Sequence, residues 1–206
     1  MTPDTRPCVF VVDDDEPVRD AIGLLLESVD IHYETYGTAQ EFLNAYAPGR
    51  TGCLVLDIRM PGMSGLELQD HLKARNAPIP IIFITGHGDI PMAVEAMKKG
   101  AVDFLRKPFR DQDLLDRIHE ALNEDADHRQ QFADLESIRS RVARLTPRET
   151  EVFERVAEGQ ANKVVAIDLN ISERTVEIHR SQVMQKTEAR TLADLVRMKL
   201  LLDQNS

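Results

Sequence analysis

Long apolar runs are missing from this chain of 206 residues. None approaches the roughly 18 residues a membrane-spanning helix needs, so no membrane segment is expected. The opening MTPDTRP lacks the apolar stretch of a secretory signal. Cysteine is scarce: Cys8 and Cys53 each open an apolar, strand-like run. They read as small buried residues in a reducing compartment rather than as a disulfide. Tryptophan is absent, and there are no internal repeats or low-complexity tracts. What remains, 42% hydrophobic and 29% charged, is ordinary for a soluble globular protein, and the length suits two domains. The expectation is a soluble cytoplasmic protein.

The net charge of −10 is unevenly spread. Residues 1–138 hold 25 acids against 13 bases, while residues 139–206 hold 10 against 12. Overall acidity argues against a general nucleic-acid coat, but a weakly basic C-terminal module is compatible with DNA.

From residue 8 to about 122, short apolar runs (8–12, 32–36, 53–56, 81–84 and 102–105) alternate with amphipathic stretches near 17–29, 38–46, 65–74, 90–99 and 111–122. Four of the five runs are nearly continuous in apolar residues, as strands buried on both faces should be. Thr38 and Glu41 form an expected capping box. Strict alternation implies an α/β fold, a five-stranded parallel, doubly wound (flavodoxin-like) sheet with right-handed crossovers. The segment NEDADHRQQ reads as a linker or a solvated helical continuation. Phe132, Leu135, Ile138, Val142 and Leu145 follow at spacings of three and four, a stripe for packing on a second copy or on the C-terminal bundle. Thr146-Pro147-Arg148-Glu149 is a helix start, with capping threonine, proline at the first helical position and glutamate to close the box. Further helices are expected at 162–169, at 173–187 behind Ser172, and from a Thr191/Asp194 box to about 202. The expected domains are therefore 1–122, a helical linker 123–143, and a small all-α helix-turn-helix domain 144–206.

Four polar features fall at the ends of apolar runs: the triplet Asp13-Asp14-Asp15, Asp57, Thr85 and Lys107. The carboxyl ends of strands are where open α/β sheets place their chemistry. A carboxylate attacks a phosphoryl group poorly unless the charge of both is offset. Asp13 and Asp14 can hold Mg2+, or another divalent cation, beside Asp57. Lys107 adds a point cation and Thr85 a hydroxyl donor, so that transfer rests on positioning and electrostatics. An acyl phosphate on Asp57 would add negative charge and strong acceptors to the crevice.

In a helix-turn-helix the second helix enters the major groove. On 173–187, Ile171, Val176, Val183 and Met184 should face the core, leaving Glu177, Ile178 and Ser181 toward base edges. Lys163, Thr175, His179 and Arg180 are better placed for phosphates. Glu173, Glu177 and Glu188 weaken a monomer's attraction to DNA, so dimerisation over two half-sites is expected.

The motifs VVDDDEPVR, LVLDIRMPGMSGLEL, PIIFITGHGDIPMAVEAMKKGAVDFLRKPF and LTPRETEVFERVAEGQANKVVAIDLNISERTVEIHR resemble a FixJ-type two-component response regulator, with a receiver domain and a LuxR-type output domain, over essentially the whole chain. The resemblance implies that Asp57 accepts phosphate from a sensor histidine kinase. It implies Mg2+ bound by Asp14, Asp57 and the backbone carbonyl of Arg59, with Asp13 assisting. Thr85 and Lys107 would read the phosphoryl group, and Phe104 would be an aromatic switch that turns inward. Gly86 stands where receivers often carry alanine, leaving the phosphoryl group accessible, and Arg59 and His87 would tune dephosphorylation. Phosphorylation would drive a homodimer, with Val94, Met97, Lys98 and Ala101 as candidate contacts, and promoter binding with RNA polymerase, activation being the family habit. Three rivals fit less well. A haloacid-dehalogenase-type phosphatase carries a second aspartate two residues after its nucleophile, where this chain has Arg59. A phosphate-independent receiver should have lost part of the pocket, and an RNA-binding output matches the pattern after Thr146 less closely.

Overall fold

The five apolar runs become the strands of one parallel sheet in the computed structural model, which describes residues 6–205 except 48, 76, 78 and 87–89. The strands are β1 (Cys8–Val12), β2 (Tyr33–Tyr36), β3 (Gly52–Asp57), β4 (Ile81–Thr85) and β5 (Asp103–Arg106), in the order β2-β1-β3-β4-β5. Between them run α1 (Glu16–Ser28), α2 (Ala39–Ala45), α3 (Gly65–Ala74) and α4 (Ile90–Lys98). Every residue of β1, β3 and β4 is buried, because helices cover both faces. Successive side chains feed two cores. Phe10, Val12, Leu54, Leu56 and Phe83 fill one, and Val9, Val11, Cys53, Val55, Ile82 and Ile84 the other. Each such side chain contributes about 1.5–3 kcal/mol on burial.

One outer strand departs from the expected continuous burial. β5 alternates partly buried and exposed residues, since an edge strand has a neighbour on one side only. Ala101, expected at a surface, is buried in the core. The Thr38 hydroxyl accepts from the Glu41 amide (3.1 Å), but the Glu41 carboxylate turns to the Gly37 amide (2.9 Å) instead of closing a box. A complete box forms at Ser64 and Glu67.

The fifth helix does not stop near 122. α5 runs from Asp111 to Val142, with no glycine or proline in that span. Two compact units meet within it, residues 1–128 and 129–206. In the second unit Ile138, near the carboxyl end of α5, joins a core with Val152, Phe153, Val165, Val176, Val183 and Leu195, and Val142 and Leu145 pack against it. Most of the sequence stripe is thus satisfied by its own bundle, while Phe132 is 64% exposed. The bundle continues through α6 (Pro147–Ala157), α7 (Asn162–Leu169), α8 (Glu173–Thr187) and α9 (Leu192–Gln204). Thr146/Glu149 and Thr191/Asp194 close their boxes, and Ser172 accepts from the Thr175 amide. Asn170, at φ 53°, makes the left-handed stop between α7 and α8. Among the described residues no helix is long and apolar enough to cross a membrane.

Candidate functional site

Strand order reverses between β1 and β3, and the crevice of such a sheet opens at their carboxyl ends. Asp13 follows β1, Asp57 ends β3, Thr85 ends β4 and Lys107 follows β5. The fold brings three of these together directly. Lys107 Nζ donates to Asp13 Oδ2 at 2.6 Å and to Asp57 Oδ1 at 2.7 Å. Thr85 joins through the backbone, its carbonyl accepting from the Lys107 amide (2.7 Å). Asp13, Asp57 and Thr85 are buried, whereas Asp14 is exposed at the mouth. The second Asp57 oxygen accepts from the Arg59 amide at 2.6 Å, and the Arg59 side chain is exposed. The peptide bond between Lys107 and Pro108 is cis.

Electrostatics follow from this packing. Burial pushes the Asp57 carboxyl above its ordinary value; Lys107 pulls it back, and the Asp13 charge adds to the rise. Burial also lowers the Lys107 ammonium. Its hydrogen bonds to Asp13 and Asp57 and their charges outweigh that and leave it raised. The donor set is therefore carboxylate oxygens gathered around one cation. Hard oxygen ligands of this kind suit Mg2+.

Two supporting residues escaped the sequence reading. Arg19 on α1 donates to the Asp13 carbonyl at 2.7 Å, fixing the loop that carries the acidic triplet. At Gly65, a Cβ would lie 2.3 Å from the Asp57 carbonyl oxygen, so only glycine lets α3 start this close to the end of β3. The run MSG in a capping sequence was the available signal for the second. Phe104 on β5 is 36% exposed. Val94, Met97 and Lys98 are exposed on α4. His87 lies outside the described residues.

In the second unit α8 presents two faces. Val176 and Val183 are buried and Ile171 and Met184 pack against the same core. On the other face Glu177, Ile178 and Ser181 are exposed, and together with Arg174 they line a shallow depression of about 520 Å³. Arg174 was missed, although 174, 177, 178 and 181 share one helical face by spacing. Lys163 is exposed on α7. The Thr175 hydroxyl is 2.8 Å from Ser172 Oγ, and Arg180 Nη1 donates to Asn162 Oδ1 at 3.0 Å. That bond ties α8 to the start of α7. His179 is partly buried beside it.

Comparison with known proteins places each of the two regions in a family. Residues 9–119 match the family described as response regulator receiver domain, and residues 143–199 that of bacterial regulatory proteins, luxR family. Nodulation protein W of Bradyrhizobium diazoefficiens is 50% identical over 94% of this chain and 86% of its own length. The transcriptional regulatory protein FixJ of Azorhizobium caulinodans is 46% identical over 97% of this chain and 94% of its own. Among solved structures, response regulator StyR superposes with a TM-score of 0.83 at 48% identity, covering 94% of this chain and 98% of StyR. Full-length FixJ of B. japonicum gives 0.61 at 42% identity, over 97% and 98%. With its receiver fold, its acidic crevice and its helix-turn-helix, the chain belongs to the FixJ-type response regulators, DNA-binding regulators of transcription built from a receiver domain and a luxR-family domain.

Proposed function

We propose that Asp57 accepts a phosphoryl group from a sensor histidine kinase and that the acyl phosphate switches the protein to a promoter-binding dimer. The observation that carries this reading is the shared ammonium: Lys107 Nζ sits 2.6 and 2.7 Å from Asp13 and Asp57, where it can follow a phosphoryl oxygen as charge builds on Asp57. Asp13, Asp14, Asp57 and the Arg59 carbonyl would hold Mg2+. When bound, the metal supplies Lewis-acid charge neutralisation at the phosphoryl oxygens. Asp57 is the nucleophile, the Thr85 hydroxyl donates a hydrogen bond to the product, and Phe104 turns inward as Thr85 moves. The receiver covers residues 1–122 and the DNA-binding domain 144–206, joined by the helical segment 123–143.

Phosphate shifts a pre-existing equilibrium by its differential affinity for the active arrangement. Val94, Met97 and Lys98 on α4 then meet a second copy. Glu177, Ile178 and Ser181 face base edges, and Lys163, Thr175, His179 and Arg180 position the helix on phosphates. The protein acts in the cytoplasm as a switch rather than as an enzyme, and it activates promoters together with RNA polymerase. Intact mass after incubation with Mg2+ and acetyl phosphate tests the acceptor. One added phosphoryl group in wild type and none in Asp57→Asn is expected. An adduct that persists in Asp57→Asn would refute the assignment.

A further inference from the structure

A second cluster of ligand-type side chains lies toward the other end of β1. The Val9 amide donates to the His32 carbonyl at 2.9 Å, and Phe10 pairs with Glu34 across the parallel β1–β2 register. Strand side chains repeat every two residues, so Cys8 and His32, each two residues earlier, face the same side as Phe10 and Glu34. As a result Cys8 Sγ, a His32 ring nitrogen and a Glu34 carboxylate oxygen all lie within 4.8 Å of one another. The carboxylate already holds a cation. Arg50 donates to its two oxygens at 2.6 and 2.8 Å, and the Tyr36 hydroxyl to one of them at 2.6 Å. The guanidinium carbon stands 4.7 Å from the centroid of the Phe10 ring.

We propose that Cys8, His32 and Glu34 form a site for a borderline divalent cation, Zn2+ by its chemistry, with Arg50 as the resident cation that the metal displaces. One sulfur, one nitrogen and one oxygen donor suit zinc and not magnesium, and three protein ligands leave a fourth position for water or another donor. Tetrahedral bond lengths near 2.0–2.3 Å need ligand atoms about 3.5 Å apart, a contraction of at most about 1.3 Å from the observed upper bound of 4.8 Å. On binding, the Cys8 thiol releases its proton to solvent and ligates as thiolate, His32 ligates as neutral imidazole, and Glu34 leaves Arg50. Thiolate and carboxylate together cancel the metal's charge. The guanidinium then has no net negative charge to hold it and moves to solvent. The site is independent of Asp57 and of the phosphorylation reading.

Cobalt titration of the full chain tests this, because a thiolate bound to Co2+ gives a near-ultraviolet charge-transfer band that carboxylate-bound Co2+ at the phosphoryl crevice does not. The expected result is a band saturating at one equivalent and erased by Zn2+. It should be kept in Cys53→Ser and Asp57→Asn and lost in Cys8→Ser. His32→Gln, which keeps the thiol if Cys8→Ser fails to fold, should bind at least about 10–100-fold more weakly. Arg50→Met should bind more tightly than wild type, an effect that a purely structural Arg50–Glu34 pair does not produce. No band in folded protein, a band surviving Cys8→Ser, or unchanged affinity in Arg50→Met would overturn the proposal.

Discussion

Replacing Lys107 by methionine keeps the stem and removes the charge that Asp13 and Asp57 share. The two acceptor oxygens lie 2.6 and 2.7 Å from one nitrogen, so they are at most about 5 Å apart. Two unit negative charges at that separation repel by about 3 kcal/mol at an effective dielectric constant near 20. Proton uptake limits the loss. The folded Asp57 pKa is already raised by burial and by Asp13, against the pull of Lys107, and the substitution raises it further. A carboxylate with a raised folded pKa favours the fold when protonated. The deficit of Lys107→Met is therefore largest at high pH and shrinks as pH falls toward that raised value. All three tyrosines, Tyr33, Tyr36 and Tyr46, belong to the first unit, so tyrosine emission follows its unfolding alone. Urea titrations without divalent metal should show a loss of about 3 kcal/mol at pH 8 and a smaller one at pH 5.5. Millimolar Mg2+ should stabilise the variant more than wild type, since the competing ammonium is gone. A variant within about 0.5 kcal/mol of wild type at pH 8, with an unchanged response to Mg2+, would refute the electrostatic account.

Gly65→Ala should destabilise the first unit by about 1–3 kcal/mol and slow phosphorylation of Asp57, because the new methyl meets a backbone oxygen that cannot swing away; tyrosine-detected unfolding and an acetyl phosphate time course measure the two effects. In the second unit, a hydrogen bond from Lys186 and then one from the Thr146 amide hold Glu149 below its ordinary value of 4.5. Its contribution, about 1 kcal/mol for a cap of this kind, is present above 4.5 and lost as pH falls through the lowered folded value. The gap between wild type and Glu149→Gln in circular-dichroism melts should therefore close in acid, and a gap constant with pH would count against the pair. Glu177→Ala should relax discrimination at one base pair, by about 1–3 kcal/mol, in a binding assay across operator variants. Unchanged discrimination removes Glu177 from the base-reading set.

Local signals carried much of the fold. The 65–74, 162–169 and 173–187 helices appear with their expected bounds, two of them behind serine N-caps, and β1 matches its apolar run. The four strand-end residues of the crevice were legible because each lies at the end of a short, mainly apolar run. What stayed hidden depends on tertiary placement. For NEDADHRQQ the sequence left a linker and a helical continuation both open, since the lack of breakers allows α5 to continue but no apolar stripe marks it. The exposed positions of β5 follow from its place at the sheet edge, and the burial of Ala101 from the core it packs into. Arg19 reaches Asp13 from the next helix, a contact that spacing does not announce. Cys8, His32 and Glu34 come together only through the parallel register of β1 and β2.

The central claim is that one phosphoryl group on Asp57 controls assembly and DNA binding. Sizing by light scattering, with and without a promoter fragment, on wild type and Asp57→Asn incubated with Mg2+ and acetyl phosphate tests it most directly. The account predicts a shift to dimer and tighter promoter binding in wild type alone, both reversing as the acyl phosphate hydrolyses. Equal assembly and equal promoter affinity in Asp57→Asn would contradict it.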